Sequence, residues 1–270
     1  FGASDPGATS GGGADTLREA GIEVVGPVWD EATARAENPA FFHAARHDRP
    51  FVALKLAMSL DARIAAAPGE RTRITGTEAG REVHRLRTGF DAVMVGEGTV
   101  AADDPRLTPR LVPPGREPIR RVLLLSGAEL PANAAVLADG ATNPVHVFCP
   151  ETAGELALER LESEGVHVHP VPADSSDSAL MDLEAVLARC RELGMDAILC
   201  EGGAELSANL LRKGLVDRLY LLVAPHALGE GGLPAFASDA HEVRWDAYAP
   251  AQAPVALGAD TMITLDRVLD

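Results

Sequence analysis

Positive charge is scarce in this chain. Against 40 Asp and Glu stand 24 Lys and Arg, a formal net charge of −16 over 270 residues. A nucleic-acid partner needs a basic face to neutralise phosphates, so none is expected. Small anionic ligands remain allowed where a local basic pocket exists. Cysteine is equally scarce: Cys149, Cys190 and Cys200 have no metal-type spacing. A reduced, cytoplasmic protein is the simplest reading. No apolar run approaches the roughly 20 residues of a membrane span, no membrane partner is expected, and no signal peptide is visible. The eight histidines form no metal-ligand set, and none is assigned to a metal. His167 and His169 lie two apart on one strand face with no third ligand near them, and read as surface residues. The first residue is Phe1, not Met, which is compatible with a piece of a longer chain.

What is present is apolar content, at 46% hydrophobic, enough for one large α/β domain or one domain plus a fragment. The stretch that organises the rest is AILCEGGAELSANLL, from Ala197 to Leu211. Ala197 to Cys200 is short and apolar, as a buried strand is, and Leu206, Leu210 and Leu211 recur at helical spacing. Between them lie Glu201, Gly202 and Gly203. Strand, glycine turn and helix in this order bring the first helical amides to the carboxyl end of a strand, where ligands of open α/β sheets collect. Glu201 is odd in an anion cradle and suggests a second, polar ligand beside the phosphates. An ordinary strand-to-helix turn with a solvated Glu201 is the bland alternative.

The chain in order begins with a loop, Phe1–Gly13, then a short helix over Asp15–Ala20 and a short strand over Ile22–Val25. Trp29–Arg49 is a mostly helical connector with Phe41 and Phe42 as docking residues. Pro50–Met58 reads as a buried parallel strand interrupted by one charge, Lys55, which is costly there unless its amine reaches a partner or a cleft. Ser59 and Asp61 gather at the same strand end. A polar loop with Arg71 and Arg73 precedes a helix over Glu78–Arg87, with Thr77 as a plausible cap. Arg81, Arg85 and Arg87 make that helix basic in an acidic chain, unless they only pair with Glu78 and Glu82. Further strands are expected at Ala92–Val95, Arg121–Leu125, Val145–Phe148, Val166–His169, Leu219–Ala224 and Thr261–Leu265. Helices fall at Glu151–Glu164 and Leu183–Leu193, and Val100–Ala102 reads as a short turn. Such alternation implies an α/β domain with a largely parallel sheet.

The motifs LKLAMSLDARIA, ITGTEAGREVHRLR, DAVMVGEGTVAADDPRLTPR, ILCEGGAELSANLL and GLVDRLYLLVAPHALGEGG occur in that order. Together, over Pro50 to Asp270, they resemble the reductase domain of the riboflavin-pathway bifunctional deaminase–reductase. The resemblance implies a dihydrofolate-reductase-like three-layer α/β/α fold and a homodimer. It also implies NADPH-dependent reduction of 5-amino-6-(5-phosphoribosylamino)uracil to the ribitylamino product. Residues 1–49 resemble the tail of the family's deaminase domain plus a connector, so a covalently linked deaminase domain belongs to the parent chain. The deaminase zinc signature, H-x-E with a later P-C-x-x-C, is absent, and deaminase activity is not expected here.

Residue by residue, the resemblance assigns Lys55, Asp103 and Glu201 to the reacting centre. Arg71, Arg87, Leu107, Arg110 and Glu201 go to the phosphorylated ribosylaminopyrimidine substrate, with Arg87 and Arg110 at its phosphate. Met58, Arg73, Thr99, Asp103, Ser126 and the turn Gly203, Ala204, Glu205, Leu206 go to the cofactor, with Ser126 nearest the 2′-phosphate. Three departures stand out. Ala62 replaces a usual glycine, so the turn there is expected not to need a positive φ. Arg73 replaces a usual tryptophan, and Leu125 precedes Ser126 where Asp is frequent. Two other readings are a reductase of a different pterin or pyrimidine, and a non-catalytic assembly domain.

Overall fold

The computed structural model describes residues 1–6, 11–110, 112–113, 118–236 and 243–268. Residues 7–10, inside the loop expected over Phe1–Gly13, lie outside them. Three short helices come first: α1 (Gly13–Glu19), α2 (Glu31–Glu37) and α3 (Pro39–Ala44). The main body then runs β1 (Phe51–Ser59), β2 (Arg63–Ala65), α4 (Thr77–Arg87), β3 (Ala92–Gly96), α5 (Glu97–Asp103), β4 (Arg120–Leu124) and β5 (Val145–Pro150). It continues through α6 (Glu155–Ser163), β6 (His167–Val171), α7 (Leu183–Glu192), β7 (Ala197–Cys200), α8 (Ala204–Arg212) and β8 (Arg218–Ala224). It closes with β9 (Leu233–Pro234), β10 (Tyr248–Pro250), β11 (Val255–Leu257) and β12 (Asp260–Arg267).

Seven strands form a parallel sheet in the order β8-β1-β7-β3-β4-β5-β6. β12 adds antiparallel to β8, and β10 and β11 pair antiparallel with β12. The central strands β8, β1, β7, β3, β4 and β5 are mostly buried on both faces, which explains their continuous apolar runs. Val52, Leu54, Met94, Val122, Ile198 and Leu219 pack with Val186 and Leu187 of α7 and Leu210 and Leu211 of α8. On the other face, Phe51, Ala53 and Leu199 meet Ala79 and Leu86 of α4, and Val93 and Leu123 meet Val100 of α5 and Leu161 of α6. The architecture is therefore three-layered, helices over sheet over helices.

β7 enters late in the chain but lies between β1 and β3. From β7 the chain returns through α8 across β1 to β8; from β3 it leaves through α5 toward β4. The neighbouring strands β7 and β3 thus send their connections in opposite directions and to opposite faces. A crevice opens at the carboxyl ends of strands where this happens.

Several expectations change. Ile22–Val25 forms no strand: Ile22 and Val25 are 51% and 67% exposed, with no described strand beside them. Ile22, Val24 and Val25, with the charged Glu23 among them, cannot make a strand without a pairing partner. Thr77 is not the cap of α4 but its first residue; Gly76 is the cap, and its N–H donates to the Asp260 carboxylate at 2.6 Å. Val100–Ala102 belongs to α5, which ends on Asp104 in the left-handed region. Ala62 does adopt a positive φ, 55°, so the turn after β1 keeps the backbone that glycine would favour and alanine tolerates it at a cost. His167 and His169 do have a third histidine beside them. β5 brings His146 into the layer, where its Nδ1 lies 3.0 Å from His169 Nε2. Among the described residues, no cluster could hold a metal ion.

The connector is anchored at the amino ends of β1 and β8. Arg49 grips Asp217 with two bonds of 2.7 Å, and Asp217 also accepts the Val52 N–H at 2.9 Å. Phe42 lines the seam with His43 and Phe51, whereas Phe41 points outward.

Candidate active site

Lys55 lies in β1 with the parity of Phe51 and Ala53, so its side chain projects to the face that α4 covers. Glu201 follows β7 with the parity of Leu199 and projects to the same face. Arg87 is the last residue of α4. These three converge. Lys55 Nζ is 3.2 Å from Glu201 Oε2. Arg87 Nε and Nη2 donate to Oε1 and Oε2 at 2.6 and 3.0 Å, a bidentate fork. Side-chain exposure is 14% for Lys55, 7% for Glu201 and 9% for Arg87. Burial alone would push the Glu201 carboxyl up, but the Lys55 and Arg87 charges and their hydrogen bonds outweigh it and hold the pKa at about 2. Glu201 is therefore an anion at neutral pH, clasped between two cations.

Arg87, which the resemblance assigns to the substrate phosphate, spends its guanidinium on partners within the protein. Its remaining nitrogen, Nη1, donates to the Thr108 carbonyl at 3.0 Å, so all three nitrogens are engaged within the protein. Arg110 is different. Its backbone N–H donates to His84 Nδ1 at 3.1 Å, and its guanidinium has no side-chain hydrogen bond among the described residues. Partial burial, then Arg87, Arg106 and Arg71, pull its pKa below the ordinary guanidinium value. The pKa of His84 is lowered in turn, by burial and by Arg87 and Arg110. An acidic chain thus concentrates cations beside Glu201. Arg106 and His84 are members of this cluster that sequence reasoning misses; each sits inside a quoted motif, but neither carries a periodic or strand-end signal.

Asp103, expected at the reacting centre, has no hydrogen bond or ion pair to the triad. It ends α5, is partly exposed, and lies 3.7 Å from Arg71 Nε. Leu107 is buried at a φ of 60° between Asp103 and Arg110 in sequence, a non-glycine residue held in the left-handed region. Met58 packs partly buried against the core at the end of β1. Arg73 is exposed and folds back on the Thr75 carbonyl at 3.4 Å and the Thr77 hydroxyl at 3.3 Å.

Beyond the triad, Thr99 at the start of α5 stands beside the α8 turn. A Cβ built at Gly203 would meet only Thr99 Oγ1, at 3.3 Å, so the two helix starts flank one gap. A Cβ at Gly202 would instead press Leu206 at 3.0 Å and Cys200 Sγ at 3.2 Å; that glycine serves packing. Gly203 caps α8, with Ala204, Glu205 and Leu206 in the first turn. The first amides of α8 have no intrahelical acceptor, and a helix start of this kind, with a glycine at its cap, suits an anion. Ser126, after β4, gives both its N–H and its hydroxyl to Glu97 Oε2, the N–H at 2.9 Å.

Residues 50–249 match the family described as RibD C-terminal domain. The chain is 34% identical over 222 residues to riboflavin biosynthesis protein RibD of Aquifex aeolicus, a match covering 82% of this chain and 59% of that protein. It is 39% identical over 183 residues to the 2,5-diamino-6-ribosylamino-4(3H)-pyrimidinone 5′-phosphate reductase of Methanothermobacter thermautotrophicus, covering 67% of this chain and 80% of the relative. Among solved structures, Acinetobacter baumannii RibD superposes with a TM-score of 0.78 at 29% identity, over 98% of this chain and 71% of that one. The chain spans about three fifths of the length of the RibD relatives it matches. It belongs to the RibD C-terminal domain family.

Proposed function

We propose that the chain reduces 5-amino-6-(5-phosphoribosylamino)uracil to 5-amino-6-(5-phosphoribitylamino)uracil, with NADPH as hydride donor. The observation that carries this reading is the Lys55–Glu201–Arg87 triad at the carboxyl end of β7, with the Arg110 guanidinium near it and in no side-chain hydrogen bond among the described residues. A phosphorylated, polar substrate suits that charge pattern, and an unphosphorylated pterin does not. The nicotinamide cofactor supplies a hydride when bound, with its pyrophosphate at Gly203 and Thr99.

The protein's own tasks are placement and charge. Glu201, held as an anion, is unsuited to donating a proton near neutrality and serves instead to fix the Lys55 ammonium. Lys55 then offers its remaining donors to the C4 oxygen, which leaves C1 and takes a proton as the nitrogen lone pair forms the imine, and afterwards to that nitrogen as C1 is reduced. Arg87 aims Glu201, and Arg110, with Arg71, anchors the phosphate. Burial of the triad keeps water from the reacting carbon.

Two specific observations bear on alternatives. The archaeal relative's name describes a pyrimidinone that still carries its 2-amino group, so the diamino compound is a second candidate substrate. Residues 1–49 are covered by the A. baumannii RibD superposition, which supports reading them as the tail of a deaminase domain plus connector. A homodimer and a cytoplasmic location belong to the same reading. The test is oxidation of NADPH, followed at 340 nm, by the purified chain with the deaminated and the diamino pyrimidine phosphates in parallel. Turnover of the first confirms the proposal; turnover of the second alone moves the substrate one step earlier; turnover of neither refutes it.

A further inference from the structure

We propose that Glu97 sets which nicotinamide dinucleotide this chain accepts, by holding the position that a ribose 2′-phosphate would occupy. The inference rests on the dinucleotide site read above. In parallel α/β sheets the second ribose lies over the strand end next to the pyrophosphate turn, and a carboxylate there accepts the 2′-hydroxyl while a basic residue favours the 2′-phosphate. Here the pyrophosphate gap lies between the starts of α8 and α5, and the next strand outward is β4, paired with β3 from Ala92↔Arg120 to Gly96↔Leu124.

The turn after β4 carries Ser126, which offers an N–H and a hydroxyl. Both are already given to one oxygen of Glu97, the N–H at 2.9 Å. A second carboxylate approaches the same turn: a Cβ at Gly127 would lie 3.6 Å from Glu129 Cγ and 4.0 Å from its Cδ. Arg160 donates to the Leu130 carbonyl at 2.5 Å, further along the same segment. No guanidinium or ammonium is bonded to the Ser126 turn among the described residues. A phosphate monoester brings about −1.5 to −2 charges at pH 7, so it would have to displace Glu97 from Ser126 and sit beside two carboxylates. A ribose 2′-hydroxyl needs an acceptor, and Glu97 is one. The chain therefore accepts NADH alongside NADPH, with a narrow margin between them, and Glu97 is the residue that narrows it.

The test is equilibrium titration of the full chain with NADP⁺, NAD⁺, 2′,5′-ADP and 5′-AMP, by calorimetry, for wild type, Glu97→Gln and Ser126→Ala. The expected wild-type ratio of Kd for NAD⁺ to NADP⁺ is within about tenfold. Glu97→Gln should raise NADP⁺ and 2′,5′-ADP affinity about tenfold or more and leave NAD⁺ and 5′-AMP level or weaker. Ser126→Ala should not reproduce that gain, because it leaves the carboxylate in place. Binding of both dinucleotides with a ratio that Glu97→Gln does not move overturns the proposal while the dinucleotide site stands. Binding of neither dinucleotide refutes the site itself, and the proposal with it.

Discussion

Replacing Glu201 by glutamine keeps the shape of the side chain and removes its charge. In the wild type the carboxylate sits between Lys55 and Arg87, and its pKa falls from the ordinary 4.5 to about 2. That difference corresponds to about 3 kcal/mol of stabilisation at pH 7. It agrees with the roughly 3–5 kcal/mol lost when one partner of a buried ion pair is removed, because two cations are then left facing each other. For a chain of this size the melting temperature should drop by about 6–12 °C. The pH dependence gives a sharper test. A carboxyl whose folded pKa lies below its unfolded one stabilises fully above about pH 4.5, and loses that contribution as the pH falls toward 2. The glutamine variant has no such contribution to lose. The gap between the two proteins should therefore be constant from pH 8 to about 5 and narrow below pH 4.5, by about 1 kcal/mol per pH unit. Denaturant unfolding of both proteins from pH 7.5 to 3.5 measures it. A gap under about 1 kcal/mol at pH 7, or two parallel curves down to pH 3.5, would refute the argument that Glu201 is a charge clasp. In kinetics the same variant should keep its cofactor affinity and lose turnover, because Lys55 loses the partner that fixes it.

Arg110→Ala should raise KM for the phosphorylated substrate at least about tenfold, since a charge-assisted contact contributes roughly 1.5–3 kcal/mol. Steady-state kinetics with a dephosphorylated analogue must show a smaller loss, or the arginine does not hold the phosphate. Gly203→Val should weaken dinucleotide binding about tenfold while far-ultraviolet circular dichroism stays native, because the added Cβ meets only Thr99 Oγ1 at 3.3 Å. Ala62→Gly should stabilise: the left-handed φ of 55° costs alanine about 1–2 kcal/mol, against about 0.4–1 kcal/mol of extra unfolded-state entropy for glycine. A melting temperature equal to or below that of the wild type would count against that strain.

Legibility followed the physics of each signal. The parallel strands were readable because burial on both faces leaves a continuous apolar run, as in Ala197–Cys200 and Ala92–Gly96. The short antiparallel additions were not: β2, β9, β10 and β11 are two or three residues long and take their conformation from a partner strand, not from a period. Lys55 stood out as a lone charge within an apolar strand and Glu201 as one just after another, and the structure brings them together. The partner of Arg87 was hidden, because 114 residues separate it from Glu201 and nothing local marks which carboxylate a helix-terminal arginine will meet. Ala62 shows the reverse error. Side-chain identity suggested a relaxed turn, whereas the hydrogen bond from its N–H to the Ser59 carbonyl at 3.0 Å holds it left-handed. His146 beside His169 is again a pairing between strands, legible only once the order of β5 and β6 is known.

The place of β7 ties the making of the site to the completion of the fold. Lys55 and Arg87 come from the first third of the chain, on β1 and α4, and both project to one buried face. Without Glu201, that face would hold two cations and no carboxylate between them, an arrangement that charge burial penalises. β7 pairs with β1 on one side and β3 on the other, and the residue that follows it is Glu201, whose N–H donates to the Met94 carbonyl at 2.9 Å. Insertion of one four-residue strand therefore closes the centre of the sheet, neutralises part of the buried charge and starts the α8 turn at Gly203. These contacts span more than a hundred residues of sequence, so their loop-closure cost falls late in folding. A chain with β7 undocked lacks the triad and the α8 turn together, and the candidate site and the native sheet should form and melt as one cooperative unit.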